Sequence, residues 1–503
     1  MTWEIFISLF EPQLILLVIG GVTLGVILGA IPGLSGTIGV ALLLPLTFTL
    51  EPRAGMLMLG GIFMGGMYGG AITAILINVP GDLPAVCTAM EGYPMAKAGR
   101  AKEALYYSVF SSMFGGIIGI LALVLFTPQL AKIALKFGPP EMFLAALAGL
   151  AVVASLSGKN KFKSFFACAF GIWIATIGID PMTGVERFTF GTNAFKSGIS
   201  AIPVCIGLFC FAEMFANIGK KISSNIYYVD QDITRWEVLK SLLHHKKLMI
   251  KSGIIGTFVG ILPGIGASMA IFLSYGEAKR TSKNPESFGH GNVEGIIAAE
   301  VANNSLVGGV MVPMLALGIP GSPTAAMIGS ALTIHGLMIG PQLFTKTPEV
   351  AYTFLYGMFL TIIVFSVIGA YGIRYFSLIL KAKMEYIVPI VFVFALFGAY
   401  SLNNNLFEVY AAVALGIVGA VFKRIDVPCA PVVIGAVLAP LIELNFRRSL
   451  VLSGATGQSI CVYIFSRPLS IVLAVIVVLL CFLFSRMGDS GKKTKSNEKE
   501  LSA

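Results

Sequence analysis

Apolar residues run in long blocks along this chain, separated by short clusters of charge. Many blocks approach the roughly 20 residues that an α-helix needs to cross a bilayer core. Four of them, near 105–127, 352–371, 386–402 and 468–486, carry almost no ionisable residue. The roughly 10-residue alternating segments of a membrane β-barrel are not present. The pattern predicts an all-α polytopic integral membrane protein with roughly twelve to fifteen crossings or half-crossings, several of them broken.

The interruptions repeat. Residues 21–37, GVTLGVILGAIPGLSGT, align without gaps on 252–268, SGIIGTFVGILPGIGAS, so that Gly25, Gly29, Pro32 and Gly33 fall on Gly256, Gly260, Pro263 and Gly264. A second pair follows in the same order: Tyr68-Gly69-Gly70 and Asn78-Val79-Pro80-Gly81, against Val307-Gly308-Gly309 and Gly318-Ile319-Pro320-Gly321. The chain therefore reads as a tandem duplication, the signature of a repeat architecture. Its divisions are a first half over 1–220, a basic linker over 221–250, a second half over 251–486 and a basic tail over 487–503.

Charge adds a direction. Lys and Arg cluster in 95–103, 159–163, 220–251, 276–286 and the tail, which the positive-inside rule places in the cytoplasm. The acidic N-terminus and 181–198 then lie outside. A path with N outside and C inside fits if 13–50 and 249–275 are helical hairpins. The two halves are then inverted, as in secondary transporters whose site lies where broken helices meet near the midplane. The N-terminal MTWEIFISLFEPQ has Glu4 and Glu11, no Lys or Arg and no small-residue cleavage site, so it reads as a retained first helix.

Composition agrees with this picture and narrows the chemistry. Of 503 residues 56% are hydrophobic and 12% charged, with a mean hydropathy of +0.87. About 25% charge is usual for soluble domains, so soluble enzymes, nucleic-acid binders and disordered chains are excluded. The net charge of +10 is explained by topology before any polyanion partner. The seven Cys stand singly in apolar runs and read as small core residues, and the four His form no metal set. No P-loop, HExxH, GxSxG or CxxC is present.

Pro-Gly inside an apolar run ends or breaks a helix. Within a membrane the freed backbone groups must face protein or a water-filled cavity. The four breaks, Pro32-Gly33, Pro80-Gly81, Pro263-Gly264 and Pro320-Gly321, are flanked by small hydroxyl and amide side chains. Ser35, Thr37 and Asn78 lie in the first half, and Ser268, Asn303, Asn304, Ser322 and Thr324 in the second; all eight are candidates for substrate contact. Half-helix N-termini can hold a carboxylate, while unwound carbonyls around Gly33, Gly81, Gly264 and Gly321 suit sodium. Glycines at four-residue spacing, such as Gly21, Gly25, Gly29 and Gly33, read as close helix packing.

Ionisable residues within apolar segments are Asp82, Glu141, Glu213, Glu294, Glu300 and Glu443, each a functional candidate by default. Glu300 leads because it lies one helical turn before Asn303 and Asn304. It could ligate sodium, carry a proton, or pair with a Lys near the inner surface.

Six blocks then point to a family. GAIPGLSGTIGVALLLPLTF, GGMYGGAITAILINVPG, EGYPMAKAGRAKEAL, GILPGIGASMAIFLSY, FGHGNVEGIIAAEVANNSLVGG and LGIPGSPTAAMIGSALTIHGLMIGPQLF resemble, in order, the TctA-type large membrane subunit of tripartite tricarboxylate transporters. The motif-bearing resemblance covers roughly 15–345, and Asp82-Leu83-Pro84 departs from the smaller residues expected after the first Pro-Gly. It implies a bacterial inner-membrane permease, importing small di- and tricarboxylates such as citrate with sodium. Its implied partners are a small TctB-type membrane subunit and a periplasmic TctC-type binding protein. An elevator-like motion fits by analogy of fold. The alternative is a stand-alone carboxylate carrier or anion channel. An enzyme would need a nucleophile with an activating base, and no such pair is evident.

Overall fold

The computed structural model describes the whole chain except residues 1, 32–33, 82, 157–159, 218–231, 263–266, 380–383, 402–403 and 480–503. The architecture is all-α; the described residues include one small antiparallel ribbon, β1 (Gly178–Ile179) with β2 (Glu186–Arg187). Among the described residues seven helices are long and apolar enough to cross a membrane, and six shorter apolar helices accompany them. The protein is thus a multi-pass α-helical membrane protein, as the apolar blocks predict.

After α1 (Thr2–Ser8) the chain runs down α2 (Pro12–Gly29) and turns back into α3 (Gly36–Leu43) and the tight turn Leu44–Thr49. It then passes through the molecule as α4 (Pro52–Ile77) and α5 (Val86–Lys97). Arg53, at the start of α4, lies 3.7 Å from Glu11 at the start of α2 and 2.9 Å from Glu51. The α2–α3 unit is therefore a hairpin that returns to its own side. A long α6 (Ala101–Ala134) follows, then α7 (Pro139–Leu156), α8 (Lys161–Thr176), the short α9 (Asn193–Lys196), and α10 (Ala201–Cys205) joined by a wide π-turn to α11 (Ala212–Asn217).

The second half repeats this order. After the amphipathic α12 (Arg235–His244), α13 (Lys246–Ile261) and α14 (Ala267–Thr281) form another hairpin, closed by an ion pair between Lys251 and Glu277. Next come α15 (Val293–Leu317) and α16 (Pro323–Ile334), the small α17 (Pro341–Lys346), and α18 (Pro348–Ile379). The chain continues through α19 (Met384–Ser401), α20 (Leu406–Arg424), α21 (Cys429–Ala455), α22 (Ile460–Phe465) and an apolar helix over Pro468–Leu479.

Contacts at the ends fix how the two broken passes run. Glu91 near the end of α5 binds the loop that precedes α15, and His335 at the end of α16 lies 3.6 Å from where a Cβ on Gly55, at the start of α4, would sit. The α4–α5 and α15–α16 passes are therefore antiparallel. Both central helices are buried along their whole apolar windows. Each also ends in the same way. Asn78 and Gly318 adopt left-handed φ values of 56° and 75°, and the next amide reaches back six residues, Val79 to Thr73 and Ile319 to Pro313. A residue able to adopt that conformation stops a helix without leaving its last carbonyls orphaned.

Glycine packing shows the correspondence between halves and corrects one part of it. A Cβ on Gly25 would meet Ile62 O at 2.4 Å, and one on Gly256 would meet Ala302 O at 2.3 Å. Gly29 rests likewise on Gly66 and Gly260 on Leu306. Gly69 and Gly309 are then the equivalent pair, each against the hairpin glycine, Gly29 or Gly260. The sequence alignment of Tyr68-Gly69-Gly70 on Val307-Gly308-Gly309 is therefore one residue out of register. Gly308 faces α6 instead, packed on Gly119.

The remaining helices form a second group that also repeats. Asn160 caps α8 through Phe162 N, and Asn405 caps α20 through Phe407 N. Pro203-Val204-Cys205-Ile206-Gly207 matches Pro431-Val432-Val433-Ile434-Gly435, with Gly207 packed on Ala412 O and Gly435 on Cys168 O. The main contacts between this group and the broken-helix core run through α3, the turn after it, and α16. Five described cysteines are buried, but Cys461 is exposed, so the reading of every Cys as a core residue fails there; Cys481 lies outside the described residues.

Close packing of this kind tolerates no added methyl group. Gly308→Ala would place a carbon 2.1 Å from Gly119 O and should destabilise the protein by about 1–3 kcal/mol. Gly276→Ala, with open space around it, should be neutral or stabilise by up to roughly 1 kcal/mol. Thermal melting in detergent should show this contrast; equal melting of the two variants would mean that the α6–α15 contact is not close-packed.

Candidate functional site

The first break of one half meets the second break of the other. Ser35 is extended and caps α3, its hydroxyl accepting from Ile38 N at 3.3 Å; Ser322 caps α16 in the same manner, accepting from Ala325 N at 3.1 Å. Pro323 follows as the first helical residue, where its missing N–H costs nothing. Two residues beyond each serine, Thr37 Oγ1 and Thr324 Oγ1 lie 2.8 Å apart. Two helix N-termini, each with unpaired amides and a partial positive charge, thus converge on one hydroxyl pair.

Behind this pair, α3 is seated on the middle of α4. A Cβ on Gly36 would lie 3.1 Å from Gly66 Cα, and the next residue, Met67, accepts at its carbonyl from Asn303 Nδ2 at 3.4 Å. Asn304 Nδ2 donates to the Glu300 carbonyl at 3.2 Å. Both asparagines are buried, and neither Oδ1 has a hydrogen-bond partner among the described residues. Glu300 is fully buried as well; its carboxylate accepts from Thr88 Oγ1 at 2.5 Å and Ser112 Oγ at 2.8 Å, tying α15 to α5 and α6.

The structure thus brings together Ser35, Thr37, Ser322 and Thr324, with Asn303 reaching them through Met67, and Glu300 with Asn304. Asn78 is exposed at the end of α4, and Ser268 is half-buried in the first turn of α14; neither bonds the others. Gly81 and Gly321 sit at equivalent points, where a Cβ would meet Gly29 O at 2.7 Å and Gly260 O at 2.9 Å. Pro80 and Pro320 precede them, whereas Pro32, Gly33, Asp82, Pro263 and Gly264 lie outside the described residues.

Other acids singled out by their apolar surroundings have structural partners. Glu141 takes Arg467 at 2.6 Å, Glu213 pairs with Lys423, and Glu294 lies 3.7 Å from His245. Glu443 is shared by Arg187 and Arg447. Arg447 also binds Asp180 at 2.6 Å, clamping the β1–β2 ribbon to α21. The Met182 amide, with Thr183 and Arg447, holds the Asp180 carboxyl well below its usual range despite some desolvation.

The most heavily bonded carboxylate was missed. Glu91 is fully buried and accepts from Tyr275 Oη at 2.6 Å and from the amides of Gly289, Gly291 and Asn292 at 2.6, 2.9 and 2.8 Å. The left-handed Gly289 and Gly291 curl the FGHGN loop into a nest of N–H groups around this anion. Thr88 and Ser112 were missed too, since single hydroxyls on helices carry no spacing signal. The EGYP and FGHGN blocks named Glu91 and its cage, but not their contact.

Broken helices buried in protein and lined by hydroxyls and amides define, by class, a multi-pass membrane transport protein. A family model described as "Tripartite tricarboxylate transporter TctA family" matches residues 15–434, and the chain belongs to that family. It is 37% identical over 433 residues, 86% of each chain, to the "Uncharacterized 52.8 kDa protein in TAR-I ttuC' 3'region" of Agrobacterium vitis. The "Uncharacterized protein in TAR-II ttuC' 3'region" of the same organism is 36% identical over 198 residues, 39% of this chain and 82% of that one. No solved structure matches.

Removing Glu91 orphans three amides and a phenol at once. Glu91→Ala should lower stability by on the order of 3 kcal/mol and open 282–292 to protease; an unchanged melting curve and cleavage pattern would show that the cage is dispensable. For Asp180 the folded pKa is depressed, so its stabilising contribution is complete above the unfolded value of about 3.9 and is lost as pH falls through the folded one. Amide exchange of the β1–β2 ribbon should therefore be insensitive to Asp180 ionisation between about pH 5 and 8, whereas Asp180→Asn should speed it throughout.

Proposed function

We propose that this chain is the large membrane permease subunit of a binding-protein-dependent secondary transporter that imports small organic carboxylates, di- or tricarboxylates such as citrate, with sodium as the coupling ion. The observation that carries the reading is the 2.8 Å meeting of Thr37 and Thr324 at two helix N-termini from opposite halves. Converging amide ends and hydroxyls bind an anion without a fixed cation, so release need not break an ion pair. Ser35, Ser322 and Asn303 support that cradle, and Asn78 at the end of α4 and Ser268 in the second hairpin complete the substrate contacts. Glu300, the Asn304 carbonyl and the carbonyls near Gly33, Gly81, Gly264 and Gly321 serve the coupling ion.

The halves 1–220 and 251–486 are inverted repeats joined by the basic linker 221–250. The broken-helix core moves against the second helix group, with α3 and α16 as the sliding surface. The membrane is the bacterial inner membrane, with the N-terminus periplasmic and the tail 487–503 cytoplasmic. The partners are a small TctB-type membrane subunit and a periplasmic TctC-type binding protein.

Uptake of radiolabelled carboxylates into vesicles holding this chain and its small subunit tests the reading. Accumulation should require both the binding protein and an inward sodium gradient; accumulation that needs neither points to a stand-alone carrier or channel. Thr37→Ala and Thr324→Ala should each lower uptake at least about tenfold, the equivalent of about 1.4 kcal/mol. Thr23→Ala on α2, half-buried and away from both breaks, should not. Full uptake by both site variants would remove the assignment.

A further inference from the structure

A cavity of about 1050 Å³ lies between the broken-helix core and the second helix group, on the side where α16 ends. Its lining includes Gly318, where α15 breaks, Ser330 and Thr333 of α16, Gln342, and Asn445 and Arg448 of α21. It is at the upper end of the volumes of small-molecule sites, and its lining runs from Gly318, before Ser322, to the segment 338–342 leading into α17.

The arginines nearby divide into two kinds. Arg187, Arg447 and Arg467 are each held by carboxylates of Glu443, Asp180 or Glu141. Arg448 is exposed, lines the cavity, and has no acidic partner among the described residues. The polar neighbours offer little competition: Ser330 and Thr333 donate to their own helix at Ala326 O and Gly329 O, and Asn445 Nδ2 to Leu441 O. A guanidinium presents a planar fork that matches a carboxylate in two parallel bonds. In a cleft with apolar walls its field is focused and raises the local concentration of anions.

We infer that Arg448 is a carboxylate-capture residue, forming with the cavity a second subsite that multivalent carboxylates occupy before they reach the Thr37–Thr324 cradle. This rests on the transport reading above and deepens it. The cradle of amide ends and hydroxyls can hold one carboxylate, whereas a guanidinium with no acidic partner among the described residues favours a ligand with a second carboxylate to spare. Arg448 lies beyond the 15–434 segment that the family model matches.

Initial uptake rates with the complete transporter test it. Arg448→Gln should raise KM for a tricarboxylate about tenfold at low ionic strength while the maximal rate stays within about twofold, the pattern of lost binding rather than lost turnover. Arg448→Glu should raise it further and Arg448→Lys should recover part. The effect on a monocarboxylate should be no more than about twofold, and about 0.5 M salt should bring the wild type towards the variants. Melting temperatures should match, because the side chain is exposed. Equal KM values in all four proteins overturn the inference, as does loss of co-purified phospholipid from Arg448→Gln with KM unchanged, which would make the cavity a lipid seat. A wild type that takes up none of the carboxylates overturns the transport reading itself, an outcome distinct from either.

Discussion

A helix that stops inside a membrane leaves amides and carbonyls that no lipid can satisfy. Everything else in this protein answers that constraint. The central helices of the two broken passes, α4 and α15, are buried along their whole apolar windows, and they end on the left-handed Asn78 and Gly318, with backbone bonds reaching back six residues. Ser322 caps the helix that restarts after α15, and Ser35 caps α3 in the first hairpin, whereas α5 restarts at Ala85 without a side-chain cap. Protein therefore takes the place of water around these interruptions, and two capped helix N-termini from opposite halves meet where α3 and α16 converge.

The same constraint explains the density of glycine. To shield a break, a neighbouring backbone must approach to within a methyl group's width. Gly29 on Gly66, Gly260 on Leu306, and Gly81 and Gly321 against the two hairpins provide that approach. The core is thereby rigid within itself. Its main contacts with the second helix group pass through α3, the following turn and α16, the elements that also carry the threonine pair. A site placed at the boundary between two internally well-packed groups is one that relative motion of the groups can expose to either side.

Much of this is legible in the sequence, because apolar block length, Pro-Gly interruptions and hydroxyls beside them are local signals. Glu300 one turn before Asn304 is legible for the same reason, as helical periodicity alone places them together. What could not be read is pairing across distance. Glu91 and its cage lie about 200 residues apart, Thr37 and Thr324 are 287 apart, and the hydroxyls that meet Glu300 come from two other helices. The register slip at Gly308 has a related cause. Two adjacent glycines face different partners, Gly119 and Gly260, and a string comparison cannot tell which one serves the repeat. The repeat in the second helix group is hard to read from sequence because its visible traces are a capping asparagine and one Pro-Val-x-Ile-Gly run.

The proposed transport cycle requires the broken-helix core to move against the second helix group about the α3–α16 junction. The most direct measurement is the distance between spin labels at Met338, after α16, and Val451 on α21, both exposed, in the complete transporter with and without sodium and carboxylate. Two resolved distance populations whose balance shifts with ligand are predicted, because a ligand with different affinity for two states must change their ratio. A single distance distribution, unchanged by sodium, carboxylate or both, would contradict the account.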